Sequence, residues 1–486
     1  MRIKRLHIEN FRCFKDYEFK MAPEINVIIG RNGAGKTTII NAMHKALSFI
    51  FSNDKSLGKD FLSSGNASLK INSYESGDYR FDVETRTIAS SANIHAEAVY
   101  GGHDITWDMY KRATSGAALY SSKYKEAFET FTNAWKNEGT DLPLLAYYSD
   151  SFPHKNLKQV KYATDTISYD IMPRNFGYYQ WDVEGACTSL WEQRLCNKLA
   201  QTLPLYTPAS RIASKIMNLE TSLSKDQLCE SVEYKKLKKD QNDLSEKIEI
   251  LQEETKYIEE RLSRFVSMLP SLKDEGYDID YLNAESKDKE YELIIIFKNG
   301  KTEAFRDLPA GYRRLYSIVL DMAYRSYILN GKKEPCGVVM IDEVDLHLHP
   351  SLEQNVVNAL HETFPNVQFV MSTHSPAVIS NLKTTEVDGE GVRLNKIMIM
   401  QEGQTEADEL PHIYGLDYNS ALRDFMETPS RNSDIENLAN EYLTYISLDL
   451  KDDASIMKKR LKEMLGREDH PVILELEEKA KNYEVH

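Results

Sequence analysis

The sequence predicts an α/β fold in which a mixed sheet and its helices are divided by a helical insertion, with further helices towards the C-terminal end. Three observations carry this prediction. An apolar run, Ile25–Ile29, leads through a glycine-rich loop into a predicted helix. A second apolar run, Val338–Ile341, ends in two carboxylates. Between the two, residues 232–269 have a seven-residue apolar repeat. Buried strands that alternate with loops and helices are typical of sheets covered by helices.

The loop after the first strand fits the pattern GxxxxGK[ST] without a mismatch. Glycines let such a loop curl so that its N–H groups surround phosphate oxygens, and the following helix adds its positive end. Lys36 would place a charge between the β- and γ-phosphates, and the Thr37 hydroxyl would hold Mg²⁺. We therefore predict a site for ATP and Mg²⁺, because an ordinary glycine-rich turn needs none of these fixed positions. The loop consists of Gly30, Arg31, Asn32, Gly33, Ala34, Gly35, Lys36, Thr37 and Thr38.

The second strand ends in Asp342 and Glu343. In P-loop proteins an aspartate at the carboxyl end of a strand holds Mg²⁺, and ligands lie at the carboxyl ends of parallel strands. A carboxylate directly after it can orient the attacking water as a general base. A further strand is predicted at 366–371, and His374 follows it, where a histidine can donate a hydrogen bond to the γ-phosphate. Each residue alone is more often structural, but together with the loop they predict a hydrolytic site.

The composition limits the class of protein. A chain of 486 residues suggests about two to four folding units. No apolar run of about 18 residues occurs, so we expect no membrane span. The first residues alternate like a strand and lack an apolar signal core, which favours a cytoplasmic protein without a cleaved leader. The cysteines have no CxxC spacing and predict neither disulfides nor a zinc site. They are Cys13, Cys187, Cys196, Cys229 and Cys336.

The formal net charge is −15, and it is unevenly distributed. Residues 1–50 hold nine Lys and Arg against four Asp and Glu, whereas residues 402–486 hold ten against twenty. Binding of nucleic acid depends on clustered cations that neutralise phosphates. Any contact with DNA or RNA is therefore expected to be local, or to be made by a partner.

The remaining elements of the first half are predicted from short patterns. Two strands lie within residues 1–20, and alternating runs within residues 67–100, Leu69 among them, predict an antiparallel meander. A helix is expected at 122–137 and a strand at 142–148. An aromatic-rich stretch follows, and it is expected to become mostly helical from about Val183.

Residues 232–269 predict a short coiled coil. Apolar residues recur every seven positions, charged residues fill the other positions, and Pro270 ends the pattern. The alternative is a long amphipathic helix packed on its own domain. The repeating positions are Leu237, Leu244, Leu251, Ile258 and Phe265.

The order of the motifs FRCF, GRNGAGKTT, LPAGYRRL, VVMIDEVDLHLHP and FVMSTHSP resembles that of ABC-type ATPases of the SMC and RecF kind. The resemblance covers residues 1–50 and 290–400, with the coiled segment inserted between two halves of one ATPase head. It implies a mixed sheet with an antiparallel β subdomain. We accordingly predict four segments, with the two halves of the head first and third, a helical insertion second and acidic helices last. Their bounds are 1–150, 151–285, 286–401 and 402–486.

The resemblance implies a role for each motif residue. The loop 30–38 would bind the phosphates, Thr37 and Asp342 would hold Mg²⁺, and Glu343 would be the catalytic base. The residue of the Q-loop is not identified, although residues 147–150 are its expected neighbourhood. The other implied positions are Arg12 beside the nucleotide, Asp345 in the D-loop, Gly311 in the signature loop and His374 as the switch histidine.

The signature loop departs from the family pattern. Pro309 and Ala310 stand where the resemblance implies a serine and the first glycine. The hydroxyl that would reach the γ-phosphate of a second subunit is therefore missing. Backbone N–H groups after Gly311, with Arg313 or Arg314, are the alternative contacts across a dimer. Slow hydrolysis, or ATP used mainly as a clamp, is the expected consequence.

Longer stretches resemble the ATPase subunits (PtuA) of Septu-type anti-phage systems, including retron-associated forms. They are AYYSDSF, LPAGYRRLYSIVLDMAYR, DEVDLHLHP and YGLDYNSALRDFMETPSR. Membership implies a cytoplasmic complex whose heads form a homodimer or a higher oligomer. It also implies a separate HNH-type nuclease subunit (PtuB-like) that is controlled by the ATP state, with DNA or RNA bound through the complex.

Two other functions are open at this point. The first is a DNA repair ATPase that binds duplex through its own basic surface, although a lysine cluster is more often a solvated helix face. The second is a Toprim nuclease of the OLD kind, because Glu402 and Glu406 imitate its opening motif; the further carboxylates that hold its metals are not evident. Asp345, His347 and His349 resemble a metal trio, but a D-loop explains them better. The lysines are Lys235, Lys236, Lys238 and Lys239.

Overall fold

An apolar run that is buried on both faces forms a central strand of the fold. In β3 (Ile25–Gly30) the first five residues are all buried, as expected of a strand covered by helices. Asn26 is the one polar residue among them, and its side chain is satisfied because Nδ2 donates to the Ala22 carbonyl at 3.0 Å. The apolar run therefore places the phosphate loop at the end of a strand inside the sheet.

The computed structural model describes residues 1–52, 71–114, 116–152, 161–181, 188–287, 290–426, 432–467 and 470–483. The chain divides into two units, Met1–Tyr414 and Gly415–His486. The segment bounds predicted at 150, 285 and 401 stay predictions. Leu69, Cys187 and the helix start expected near Val183 lie outside the described residues.

The main sheet has six strands in the order β15-β14-β3-β13-β12-β8. All pairs are parallel except β14 with β15. β3 and β8 precede the helical insertion, whereas the other four strands follow it. The two ends of the chain therefore interleave in one sheet, and the predicted α/β fold class is confirmed. The other strands are β8 (Leu144–Tyr148), β12 (Gly337–Ile341), β13 (Val367–Ser372), β14 (Asn395–Met400) and β15 (Asp408–Glu409).

Smaller antiparallel sheets complete the first unit. A four-stranded sheet has the order β2-β1-β6-β7, a three-stranded sheet the order β11-β10-β9, and β4 pairs with β5. The antiparallel subdomain was expected, but β7, β9 and β11 were not predicted. The strands are β1 (Arg2–Phe11), β2 (Phe14–Lys20), β4 (Phe81–Asp82), β5 (Thr87–Ile88), β6 (Ser91–Tyr100), β7 (His103–Arg112), β9 (Ile279–Lys287), β10 (Glu290–Phe297) and β11 (Thr302–Ala304).

The α-helices of the first unit include the phosphate-loop helix and two long helices of the insertion. They are α1 (Lys36–Leu47), α2 (Lys125–Lys136), α3 (Lys161–Thr166), α4 (Thr188–Ser222), α5 (Lys225–Glu230), α6 (Val232–Ser267), α7 (Pro270–Asp274), α8 (Ala310–Asn330), α9 (Pro350–Glu353), α10 (Val356–Thr363) and α11 (Pro376–Ser380). Among the described residues, every helix is too short or too polar to cross a bilayer.

The heptad segment forms one helix, α6, which packs antiparallel against α4. Glu220 accepts a hydrogen bond from Tyr234 at the outer end, and Glu254 pairs with Arg194 at the inner end. The partner of the heptad seam is thus a helix of the same chain. Ile258 is fully buried at the root of this helical hairpin, whereas the outer heptad positions are half-buried.

The second unit is helical, as the sequence predicts for residues 415–486. Its core is built from apolar residues on three helices, such as Tyr442, Leu461 and Leu476. The helices are α12 (Tyr418–Phe425), α13 (Ser433–Ser447), α14 (Lys451–Leu465) and α15 (Pro471–Tyr483).

A buried ion pair at the hairpin root gives a test of its stability. Arg194 Nε and Nη2 donate to the two Glu254 oxygens, each at 2.7 Å, and both residues are at most 5% exposed. Arg194→Met leaves the Glu254 carboxylate buried and unpaired, so we expect a loss of about 3 kcal/mol. The melting temperature should fall by several degrees. Lys238→Ala removes an exposed pair with Glu220 and should leave the melting temperature within about 1 °C. Equal melting curves for the two variants would contradict this assignment.

Candidate nucleotide site

The loop predicted to hold phosphate curls at its glycines. Gly33 and Gly35 have φ of 86° and 102°, a region that favours glycine. Arg31, Asn32 and Gly33 are exposed, while Ala34 lies against the fold. Helix α1 begins directly after the loop, so its free N–H groups and positive end face the same space. The loop therefore has the form of an anion-binding cradle.

Lys36 is held in place by the loop itself. Its Nζ donates to the carbonyls of Gly30 at 2.8 Å and Arg31 at 3.2 Å. Burial lowers the pKa of Lys36, and the carboxylates of Asp342, Glu343 and Asp345 act in the opposite direction. The ammonium group is thus close enough to all three carboxylates to be stabilised by them. The structure brings the two distant motifs to one place.

Strand pairing explains how they meet. β13 lies between β3 and β12, and the three strands are parallel. Ser372, the last residue of β13, pairs in register with Ile28 of β3, and its carbonyl accepts the Val344 N–H at 3.0 Å. The carboxyl ends of all three strands therefore reach the same edge of the sheet, where ligands bind in such folds.

Ser372 also fixes the two acidic residues after β12. Its hydroxyl donates to Asp342 Oδ1 and accepts the Glu343 N–H at 2.8 Å. Glu343 has φ of 50°, the left-handed region that a residue with a side chain adopts at a cost. Asp342 is 6% exposed, whereas Glu343 is half-buried. Ser372 was not predicted to be a site residue. The available signal was its position at the end of a strand, two residues before His374.

The D-loop and the switch position lie on the same edge. The Thr373 hydroxyl donates to Asp345 Oδ1 at 2.6 Å, so the loop after β12 is tied to the end of β13. His374 follows Thr373 and is exposed. A Cβ added at Gly311 would lie 2.4 Å from the His347 carbonyl oxygen. The signature-loop glycine therefore packs directly on the D-loop backbone of its own chain.

The turn between β1 and β2 packs on the phosphate loop and carries Arg12. A Cβ added at Gly35 would lie 2.5 Å from the Phe14 ring. The Arg12 Nε donates to Asp78 Oδ1 at 2.9 Å, and Lys45 of α1 pairs with the other Asp78 oxygen at 2.9 Å. Burial would raise the pKa of Asp78, but the Glu75 N–H and Lys45 outweigh it and lower that pKa. Arg12 is therefore near the loop but is anchored by Asp78. This ion pair was not predicted.

One predicted contact is wrong. Arg314 was offered as a cation that could reach phosphate across a dimer, but its side chain is fully buried. Its guanidinium donates to backbone carbonyls of its own chain, including Asp342 at 3.0 Å. Arg313 is half-buried and donates to the Arg306 carbonyl at 2.8 Å. The phase of helix α8 turns one arginine inwards and leaves the other at the surface.

The residues that resembled a metal trio or a Toprim motif have other roles or positions in the structure. His349 caps α9, because its ring accepts the Ser351 N–H at 3.3 Å. Glu402 and Glu406 are exposed, and the elements that the structure describes after β15 are helices. In the part of the chain that the structure describes, no three His, Cys, Asp or Glu side chains form a metal cluster.

The comparison with protein families decides the classification. The family described as AAA ATPase domain matches residues 1–379. The chain belongs to this family. This match confirms the resemblance inferred from the motifs. The matched residues include the phosphate loop, the acids at the end of β12 and strand β13.

Individual proteins are similar to this chain to different extents. The retron Ec83 probable ATPase of Escherichia coli is 25% identical over 414 residues, which cover 80% of this chain and 71% of that protein. The Septu protein PtuA of Bacillus mycoides is 32% identical over 106 residues, 21% of this chain and 14% of that protein. An Smc head domain of Pyrococcus furiosus covers 88% of this chain and 99% of its own, with a TM-score of 0.40 and 12% identity.

Two of the three loop glycines, Gly33 and Gly35, provide a matched test of the cradle in this AAA ATPase. Both have left-handed φ, but a Cβ at Gly33 meets nothing within 4 Å, whereas one at Gly35 meets Phe14 and Cys13. Phe14 is buried and stacked on Tyr17, so it cannot move freely. Gly33→Ala should cost about 1–2 kcal/mol of strain and weaken ATP binding by up to about tenfold.

Gly35→Ala carries the same strain plus the clash, so we expect ATP affinity to fall by more than about 100-fold. Isothermal titration calorimetry with both variants measures this difference. Equal affinities would show that the β1–β2 turn does not shape the loop.

Proposed function

We propose that this chain binds ATP with Mg²⁺ and hydrolyses it, and that it does so as the regulatory ATPase of an anti-phage defence complex. The observation that carries the enzymatic part is the parallel order β3-β13-β12, which sends the phosphate loop and the strand-end carboxylates to one edge of the sheet. The defence role is supported by the similarity to a retron ATPase and a Septu protein.

In this proposal the loop and α1 bind the triphosphate. The exposed N–H groups of residues 31–33 and the start of α1 donate to phosphate oxygens. Lys36 exchanges its bonds with the Gly30 and Arg31 carbonyls for bonds to the β- and γ-phosphates. A charge-assisted bond to phosphate is stronger than one to a neutral carbonyl, so this exchange is favourable.

The residues at the edge of the sheet fit Mg²⁺. The exposed Thr37 hydroxyl at the start of α1 and the Asp342 carboxylate are oxygen ligands of the kind that this ion prefers. Ser372 holds one Asp342 oxygen, which orients the carboxylate. When bound, Mg²⁺ neutralises charge on the phosphate oxygens during transfer.

Glu343 is the general base. It accepts a proton from water, the water oxygen forms a bond to the γ-phosphorus, and the bond to the β–γ bridging oxygen breaks. ADP and inorganic phosphate result. His374 donates to the γ-phosphate, and Arg12, held by Asp78, lies beside the nucleotide. Because Glu343 follows Asp342 directly, the base and the metal ligand are positioned by the same strand.

A second copy of the chain completes the site. Heads of this kind are proposed to pair as a homodimer or higher oligomer, with the signature loop of one facing the nucleotide of the other. Here Pro309 and Ala310 are exposed and provide no hydroxyl, so the contact depends on backbone N–H groups at the start of α8. The missing hydroxyl favours slow hydrolysis, or ATP used mainly as a clamp.

The proposed partner is an HNH-type nuclease subunit. No complete nuclease site was found in the sequence, and the relatives named for Septu and retron systems favour a chain that regulates rather than cuts. DNA or RNA is then bound through the complex. Residues 402–486 have more acidic than basic residues. This excess supports a chain that leaves nucleic acid binding to the complex, because an acidic surface repels nucleic acid.

Two single variants test the ATPase. Lys36→Ala removes the charge in the loop, so ATP affinity should fall by about 10–100-fold. Glu343→Gln removes the base but keeps the binding groups, so affinity should be retained while the rate constant for hydrolysis falls by about 10²–10⁴-fold. Lys20→Ala and Glu362→Gln, two exposed changes, are the controls and should leave both quantities unchanged. Unaltered ATP binding by Lys36→Ala would refute the proposed site.

The partner is tested by co-purification from the native host. We expect an HNH nuclease to elute with the tagged chain, and DNA cutting by the complex to differ between ATP and ADP. Glu343→Gln should hold the complex in its ATP-bound behaviour, because hydrolysis no longer ends that state. DNA cutting by the purified chain alone would instead support the Toprim alternative, provided that Glu402→Ala abolishes it.

A further inference from the structure

Arg314 is fully buried, and among the described residues its guanidinium bonds to backbone carbonyls rather than to a carboxylate. It lies in the first turns of α8, and its guanidinium contacts two backbone segments. Nη1 donates to the Phe152 carbonyl at 2.6 Å, and the carbonyls of Ser149 and Asp150 are 3.4 Å away. Nη2 donates to the carbonyls of Asp342 at 3.0 Å and Glu343 at 3.2 Å. One side chain therefore joins the loop after β8 to the two acidic residues.

This arrangement is costly for a residue whose only task is packing. The Arg314 side chain is fully buried, so its charge is removed from water. The buried Nε has no hydrogen-bond partner among the described residues. An apolar side chain of similar length would fill the same space without desolvating a charge.

The backbone that Arg314 holds is the strained part of the site. Glu343 has φ of 50°, so its peptide groups need external support to keep that conformation. Ser372 binds the Glu343 N–H from one side, and Arg314 binds the Asp342 and Glu343 carbonyls from the other. The direction of the Glu343 side chain is set by this turn. Releasing the carbonyls would let the turn relax and redirect the carboxylate.

We propose that Arg314 is the positioning residue for hydrolysis: it keeps the Asp342–Glu343 turn in its left-handed form, so that Glu343 faces the γ-phosphate. The inference rests on the proposed function of Glu343 as the base. It assigns no phosphate contact to Arg314 and no role to it in ATP binding. It also explains why the loop after β8 lies at the site, because Arg314 anchors both segments with one guanidinium.

Arg325 provides a matched control on the same helix. It is 3% exposed, its Nε pairs with Asp321 at 2.6 Å, and its Nη1 donates to the Gly177 and Tyr179 carbonyls, each at 3.0 Å; none of these partners belongs to the acidic turn. Arg314→Met and Arg325→Met each remove a buried guanidinium from α8, so both should lower the melting temperature. Only the first should lower single-turnover hydrolysis, by about 30-fold or more, with the Kd for ATP within about threefold of wild type.

A double variant separates positioning from general damage. If Arg314 acts through Glu343, then Arg314→Met should slow hydrolysis by less than about threefold in the Glu343→Gln background, because the group that it positions is already absent. An equal loss in both backgrounds would overturn the proposal. A loss of ATP affinity that parallels the loss of rate would overturn it as well.

The remaining outcomes are also decisive. If Arg314→Met does not fold, Arg314→Lys takes its place: one ammonium cannot reach the carbonyls of both backbone segments, so hydrolysis should fall by about tenfold with ATP affinity retained. Unchanged turnover in a folded variant at this position refutes the inference alone. Failure of the wild-type chain to bind ATP refutes the proposed function instead, so the two failures are distinguishable.

Discussion

The insertion of β13 between β3 and β12 is the constraint on which the site depends. These three strands come from opposite ends of the chain, and their parallel pairing sends the phosphate loop, the acidic turn and the Ser372–Thr373 pair to one edge. The register is specified by buried polar contacts as well as by apolar packing. Gln368 of β13 accepts the Ile3 N–H at 2.8 Å and donates to the Ala22 carbonyl at 2.7 Å. A shift of β13 by one residue would break these bonds and turn Ser372 away from Asp342.

The strands of the main sheet were the most predictable part of the fold. Four of them are almost continuous apolar runs, which a sheet covered on both faces requires, and three end in recognisable polar motifs. β7 and β9 were missed for different reasons. β7 alternates apolar and polar residues at Ile105, Trp107 and Met109 and continues the predicted meander past its expected end. β9 has few apolar residues, and it is defined by its pairing with β10, which is a tertiary contact.

The partners of the site residues could not be predicted in the same way. Arg313 and Arg314 are adjacent in one motif and look equivalent in sequence. The phase of α8 against the sheet separates them, and that phase depends on the packing of the whole helix. Arg12 and Asp78 are far apart in the chain, so nothing local indicates their ion pair. Motifs thus identify the candidate phosphate-binding groups, whereas the residues that hold those groups in place are specified by the fold.

The same helix that carries Arg314 connects the site to the helical hairpin. Asp321, which is 1% exposed, accepts hydrogen bonds from Tyr148 OH at 2.8 Å, Trp191 Nε1 at 2.5 Å and Arg325 Nε at 2.6 Å. Tyr148 ends β8, beside the acidic strand, and Trp191 lies at the start of α4. A buried carboxylate with three donors is stable only while all three stay in place. Because these bonds hold α8 against both β8 and α4, the helix that supports the acidic turn is also fixed to the root of the hairpin.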